Sequence, residues 1–132
     1  MTETTGLLDS VRGYLAQPRC AVLATVGQDG TPHQVVVHYL LEGDGLVING
    51  RADRRWVSNL HRDARVSMVI HDVDQPLHWV GVKGKAALFR EGPLAVEDAM
   101  RLAQRYGEDP GAYRDQQRVS FRVQPRRVYE YG

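Results

Sequence analysis

Apolar residues recur at helical spacing at Leu7, Leu8, Val11, Tyr14 and Leu15, with Pro18 behind them. The pattern predicts a first helix over residues 5–17, lying as a lid on a core. From Cys20 the pattern changes to strands. Residues 20–26 are apolar and β-branched, Gln28-Asp29-Gly30-Thr31 supplies turn residues, and residues 32–41 resume the extended pattern, which reads as a hairpin. Gly43-Asp44-Gly45 marks another turn before a third strand over 46–49, so the three are expected to pair as an antiparallel meander. Trp56, Val57 and Leu60 then predict a short helix over 53–62, with Asp53 as its N-cap.

Strand character returns over 66–71 and 78–89, and Gly81 and Gly84 in the second run mark a bulge or a close backbone approach. Pro93 opens a second amphipathic helix through Leu94, Val96, Ala99, Met100, Ala103 and Tyr106, which Gly107 and Pro110 end. In the last strand Val119, Phe121 and Val123 alternate with Arg118, Ser120, Arg122 and Gln124. Pro125 is expected to break the run before residues 128–131 close the chain. Short strands with hairpin-length connections do not make a βαβ series. They fit an α+β, mainly β domain, a small antiparallel barrel with peripheral helices.

At 132 residues, 42% hydrophobic and 25% charged, the chain fits one globular domain rather than two cores or a disordered segment. Its one cysteine, Cys20, makes no internal disulfide and begins an apolar strand, where a thiol packs like a small hydrophobe. No charged leader with an apolar core segment and no long apolar run is present, so the expected setting is the cytoplasm, without a membrane. A net charge of +1 provides no global field for nucleic acid or anionic lipid, so any anion site must be local.

Several chemistries lack their signatures. The histidines at 33, 38, 61, 71 and 78 do not stand at zinc-ligand spacings, and His33 and His38 point to opposite sides of one strand, so no metal is expected. Serine-hydrolase elbow, phosphate-binding loop and dinucleotide fingerprint are all missing. What the chain does carry is a basic corner. Residues 51–65 hold five arginines against Asp53 and Asp63, a formal +3, around a strand end, a glycine turn and a helix start. A helix N-terminus flanked by guanidinium forks can cradle a phosphate, although the same arginines could pair with those aspartates on a solvated face.

At this corner the sequence resembles a known family. The blocks LATVGQDGTPHQVVVHYLL, GLVINGRADRRWVSNLHRDARVSMVI and WVGVKGKAAL occur in order, and the likeness runs from about Arg19 to Tyr131. They resemble the pyridoxamine 5′-phosphate oxidase-like family and, within it, the small oxidoreductases that use the deazaflavin coenzyme F420. The resemblance implies an FMN-binding-protein-like split β-barrel. It also implies a homodimer that binds F420, or alternatively FMN, in a groove between subunits, with two sites related by the two-fold axis.

Carried over residue by residue, the phosphate-binding block falls on Arg54, Arg55 and Trp56, after the strand end Ile48, Asn49 and Gly50, with Asn59 one helical turn on. Trp56 stands where many members have a lysine. Gln34, Val36 and His38 share a face of the strand that, in the resembling proteins, lines the tricyclic ring. His38 is a candidate proton donor, its ordinary titration range lying near neutrality, or else a histidine satisfied in the barrel wall. Trp79 could stack on ring or substrate from the partner subunit, or anchor an interface; Lys83 and Lys85 share its face and could reach an acidic coenzyme tail.

The function expected from this resemblance is hydride transfer from reduced F420 to an unsaturated small-molecule substrate. The coenzyme carries the chemistry, so no acid–base dyad need show in the sequence. Two rivals belong to other classes: a non-catalytic module that sequesters or senses flavin, deazaflavin or haem, and nucleic-acid binding through Arg118, Arg122, Arg126 and Arg127.

Overall fold

The extended run expected over 32–41 is two strands, and the break between them at His38 organises the whole sheet. The computed structural model describes residues 2–132. Its strands are β1 (Thr2–Thr4), β2 (Cys20–Val26), β3 (Pro32–Val37), β4 (Tyr39–Glu42), β5 (Gly45–Arg51), β6 (Arg65–His71), β7 (Trp79–Glu91) and β8 (Arg118–Tyr131). Three helices, α1 (Asp9–Leu15), α2 (Arg55–Arg62) and α3 (Gly92–Arg105), and a 3₁₀ turn at Pro110–Tyr113 complete the chain.

The sheet runs β3-β2-β6-β7-β8-β5-β4, with β1 added on β8, and every pairing is antiparallel. Its two ends, β3 and β4, are consecutive in the chain and meet only through His38. The result is an antiparallel split β-barrel with peripheral helices, an α+β fold. The expected three-strand meander is therefore corrected: β3 pairs with β2, β4 with β5, and β5 with β8. A turn signal such as Gly43-Asp44-Gly45 specifies the hairpin it closes, here β4–β5, but not how far back that hairpin extends.

Three further expectations change. The first helix covers Asp9–Leu15, not 5–17, because Leu8 is already extended (φ −68°, ψ 161°) and residues 2–4 pair with β8. Leu7 still packs on the core from the segment before the helix. Asp53 does not cap α2: its carboxylate bonds Arg51 Nη2 at 3.0 Å, Arg54 occupies the cap position, and no side chain caps the helix. Pro125 does not end the last strand. Lys83 faces Arg127 while Gly84 faces Pro125, so Arg126 is the extra residue of a bulge that absorbs the proline. Gly84 makes this possible, since a Cβ there would lie 2.1 Å from the Gln124 carbonyl oxygen.

Inward residues of the alternating strands fill the barrel: Ala21 and Leu23 on β2, Met68 and Ile70 on β6, Val80 and Val82 on β7, Phe121 and Val123 on β8. The lid role expected of the first helix holds for Val11, Tyr14 and Leu15, which are buried against this core. The Tyr39 hydroxyl donates to the Leu15 carbonyl at 2.9 Å and fastens the lid. Outward, Val36, Val22, Val69, Gly81 and Tyr129 stand in register across five strands, so they share one face. Val36 on that face is 69% exposed. Among the described residues no helix is long and apolar enough to cross a membrane.

Candidate functional site

Where β5 leaves the barrel, Asn49-Gly50-Arg51 runs into the turn before α2, and the ring of Trp56 from the first turn of α2 lies over Gly50. A Cβ on residue 50 would sit 2.3 Å from Trp56 Cζ2, so only glycine admits the ring. Trp56 is buried by this packing, 5% exposed, and its ring is tilted against Phe121 at 6.2 Å. The indole therefore forms a wall and offers no charge at the position where the resemblance led us to look for a lysine.

Asn49 turns its side chain away from the barrel core, toward α3. Its amide nitrogen donates to the Ala95 carbonyl (2.8 Å) and to Ser120 Oγ (2.9 Å), while its oxygen accepts from Arg118 Nε (2.9 Å). Ser120 Oγ in turn donates to Asp98 Oδ2 at 2.7 Å, and both oxygens of buried Asp98 accept from Arg90 Nη1 at 3.1 Å. A hydrogen-bonded chain thus leads from a buried ion pair to the guanidinium of Arg118, which is also held by Gln116 Oε1 (2.7 Å) and lies 4.7 Å over the Tyr113 ring. Among the described residues Arg118 has no carboxylate partner. Burial lowers its pKa, Arg51 and Arg54 push the same way, and Tyr113 partly opposes them. A cation so placed gains from an anion.

These groups line a cleft of about 250 Å³. Arg51, Arg54 and Arg118 bring three guanidiniums to it, of which Arg51 alone has a carboxylate partner among the described residues. Val36 and Trp56 supply apolar wall, and His38, Glu108 and Tyr113 the remaining polar edge. His38 sits at the break between β3 and β4, its ring stacked on Tyr106 at 3.6 Å and 3°. Its Nδ1 lies 3.4 Å from Glu108 Oε1. Burial pushes the His38 pKa down and the Glu108 carboxylate opposes this only in part.

The structure brings Val36, His38, Asn49, Gly50, Arg54 and Trp56 to one cleft and leaves the other sequence-predicted residues outside it. Gln34 is exposed on the outer face of β3, and Arg55 points to solvent on α2. Ile48 is fully buried in the barrel core. Asn59 is buried too, its amide donating to Thr25 Oγ1 at 3.0 Å. Trp79 and Lys83 line a separate outer groove of about 300 Å³ with Val69, Gly81 and Tyr129. Trp79 stacks on Tyr131 at 5.6 Å, and Lys83 Nζ lies 5.6 Å from the Tyr129 ring centre. Lys85 is exposed.

Sequence reasoning missed Arg51, Glu108, Tyr113 and Arg118 as cleft residues. Arg51 lay inside the basic segment. Arg118 becomes its neighbour only because β5 pairs with β8, Arg51 opposite Arg118, across 67 residues of chain that no local pattern spans. Of the four arginines considered for nucleic acid, Arg126 is exposed, and the other three are engaged elsewhere. Arg118 belongs to the cleft, Arg122 bonds Asp44 (2.6 Å), and Arg127 bonds Glu3 (2.6 Å). Among the described residues no three His, Cys, Asp or Glu side chains are grouped to hold a metal ion.

A family model described as pyridoxamine 5′-phosphate oxidase matches residues 7–132. A search of curated proteins finds no match. Among solved structures, the chain is similar to an F420 reductase at 25% identity and a TM-score of 0.77, over 89% of this chain and 94% of that one. A conserved hypothetical protein from Mycobacterium tuberculosis shares 24% identity with a TM-score of 0.78, over 92% and 82%. The heme storage protein HutZ from Vibrio cholerae shares 20% with a TM-score of 0.75, over 96% and 95%. The last two likenesses concern the fold.

Proposed function

The chain belongs to the pyridoxamine 5′-phosphate oxidase family, and from that premise we propose that it is a cytoplasmic, homodimeric oxidoreductase using reduced F420 to deliver hydride to an unsaturated small molecule. The observation that carries this reading is the pair Arg54 and Arg118, two cleft-lining guanidiniums without carboxylate partners among the described residues, beside an uncapped helix start. That donor set fits the phosphate of a flavin-type coenzyme, and the apolar wall of Val36 and Trp56 fits a flat ring. F420 is preferred over FMN because the chain resembles an F420 reductase over nearly its whole length.

When bound, the deazaflavin supplies the hydride; the chain's residues supply orientation and charge. Arg54 and Arg118 hold the anionic tail, the Trp56 ring closes one wall, and Val36 carries the cleft onto the outer sheet face. A cleft of about 250 Å³ is smaller than the ~300–1,000 Å³ typical of sites that enclose drug-sized ligands, which agrees with a site completed by a second subunit. In this reading the outer face of β3, β2, β6 and β7 is the seam, and Trp79 and Lys83 of its outer groove would reach the ring and tail bound by the other subunit.

The test is a titration of purified protein with F420 and with FMN, followed by fluorescence, and then turnover of reduced F420 with a panel of enones and quinones. Tight F420 binding with accelerated oxidation is expected. FMN uptake without F420 uptake would move the reading to an FMN-dependent oxidoreductase. Binding without turnover, or uptake of haem instead, would move it to a non-catalytic carrier.

A further inference from the structure

The chain segment that ends α3 is built to press a carboxylate against His38. Gly107 takes φ +74°, a left-handed conformation that glycine adopts without strain. Its N–H donates to the Gln104 carbonyl at 3.4 Å, and the Glu108 N–H donates to the Ala103 carbonyl at 2.8 Å. This is the paired closure of a Schellman motif, and it fixes the backbone of Glu108 one residue beyond the turn. Tyr106, the last residue before the turn, lies flat on the His38 ring, and its hydroxyl donates to the Arg19 carbonyl at 2.6 Å. The other oxygen of Glu108 is within 3.3 Å of the Tyr113 hydroxyl, which donates to it. The imidazole therefore has a stacked ring on its face and an oriented carboxylate 3.4 Å from Nδ1. Its second nitrogen, Nε2, has no hydrogen-bond partner among the described residues.

We infer that Glu108 is the positioning residue of His38, fixing the Nδ1–H tautomer so that Nε2 handles the proton that accompanies hydride at the substrate. The proton-transfer role rests on the reduction proposed above; the tautomer and its cause do not. In the balanced step, hydride adds to one carbon of the substrate double bond. The displaced π pair forms a bond from the neighbouring carbon to the proton of His38 Nε2, and the imidazolium becomes neutral imidazole with its Nδ1–H still facing Glu108. Solvent returns the proton. Glu108 stays a carboxylate throughout and steadies the imidazolium, as the acid partner of a histidine does in hydrolytic triads. The Nδ1 to Oε1 separation of 3.4 Å is longer than a formed hydrogen bond, and such contacts commonly tighten when a ligand fills the site.

The groups that face His38 act in opposite senses. Burial disfavours the imidazolium, and the Glu108 carboxylate favours it; Arg51, Arg54 and Arg118 are the other charged side chains of the same cleft. The donor form is the protonated one, so turnover limited by this step falls as pH rises through the His38 midpoint. Replacing Glu108 by glutamine removes the one facing carboxylate and moves that midpoint down.

The deciding experiment is a pH titration of the histidine ring nitrogens by NMR on the ¹⁵N-labelled full chain without coenzyme, with His38→Asn used to assign the signal. The wild-type ring is expected as the Nδ1–H tautomer, with a midpoint that drops by about half to one pH unit in Glu108→Gln. Tyr113→Phe, which frees one carboxylate oxygen, is expected to shift it less and in the same direction. An Nε2–H tautomer, or a midpoint that does not move in a Glu108→Gln variant folded by circular dichroism, overturns the inference. The pH profile of kcat with reduced F420 is read in parallel and is expected to move with the NMR midpoint. If the NMR shift occurs and no F420 turnover is found, the proposed reduction fails while the positioning of His38 by Glu108 stands.

Discussion

Arg118 Nε donates to Asn49 Oδ1 at 2.9 Å, and through that one amide the cleft's most enclosed guanidinium is tied to the buried polar network between the sheet and α3. Asn49 and Arg118 lie on adjacent strands, β5 and β8, two register positions apart. Because the amide nitrogen is already committed to Ala95 and Ser120, its oxygen can only face the arginine. The flip of the side chain is thereby decided by the network, and the guanidinium inherits its orientation.

Asn49→Ala should cost about 2–3 kcal/mol of stability. It deletes three hydrogen bonds at once, two of them wholly buried, and leaves Arg118 Nε without its partner. Urea denaturation of the variant and the parent measures the difference. A loss below about 0.5 kcal/mol would mean that water replaces the amide without penalty.

The anion contacts divide the arginines of the basic segment. Arg54→Ala and Arg118→Ala each remove a charged group from the cleft and should weaken F420 and FMN binding by about 1.5–3 kcal/mol, roughly tenfold or more in Kd. Arg55→Ala should leave Kd within about twofold, because its exposed side chain lies outside the cleft and a solvated charge at that distance is screened. Fluorescence titration of the three variants separates the outcomes. Equal losses for Arg55 and Arg54 would mean that the tail lies along α2 instead of in the cleft.

Gly50→Ala should destabilise the protein by about 1–3 kcal/mol, since the new methyl would fall 2.3 Å from Trp56 Cζ2 in a packed wall. Trp56→Leu removes the clashing ring, so the double variant should lose less than the two single losses added together. Thermal melts of the four proteins give the coupling. Strict additivity would show that the ring and the glycine do not constrain each other.

These contacts explain which parts of the molecule could be read in the chain. Alternation located strands such as β2 and β6 because their inward residues, Leu23 and Met68 among them, are buried and their outward neighbours are more exposed. The basic corner was legible because Arg54 and Trp56 lie close in sequence to Gly50. Arg118 and Glu108 were not, because each reaches the cleft through a distant event: the β5–β8 register for one, the closure after Gly107 for the other. The break at His38 was hidden for a different reason. Residues 32–41 keep a continuous extended pattern, and what divides them is that β2 and β5, the partners of the two halves, lie far apart on the sheet path.

The last prediction concerns the outer face. Val36 and Val69 are 69% and 40% exposed and stand in one register row with Val22, Gly81 and Tyr129, while Trp79 lies beside them on β7. Contiguous apolar surface on a sheet is unfavourable in water and is relieved by association, and a closed two-fold pairing covers both copies equally. Sedimentation at micromolar concentration should find a dimer. Val69→Asp should give a monomer that stays folded, because the substituted side chain points away from the barrel core. The proposed site takes Trp79 and Lys83 from the second subunit, so the monomer should also bind F420 more weakly. A monomeric parent protein, or a Val69→Asp monomer with undiminished affinity, would show that one subunit makes the whole site.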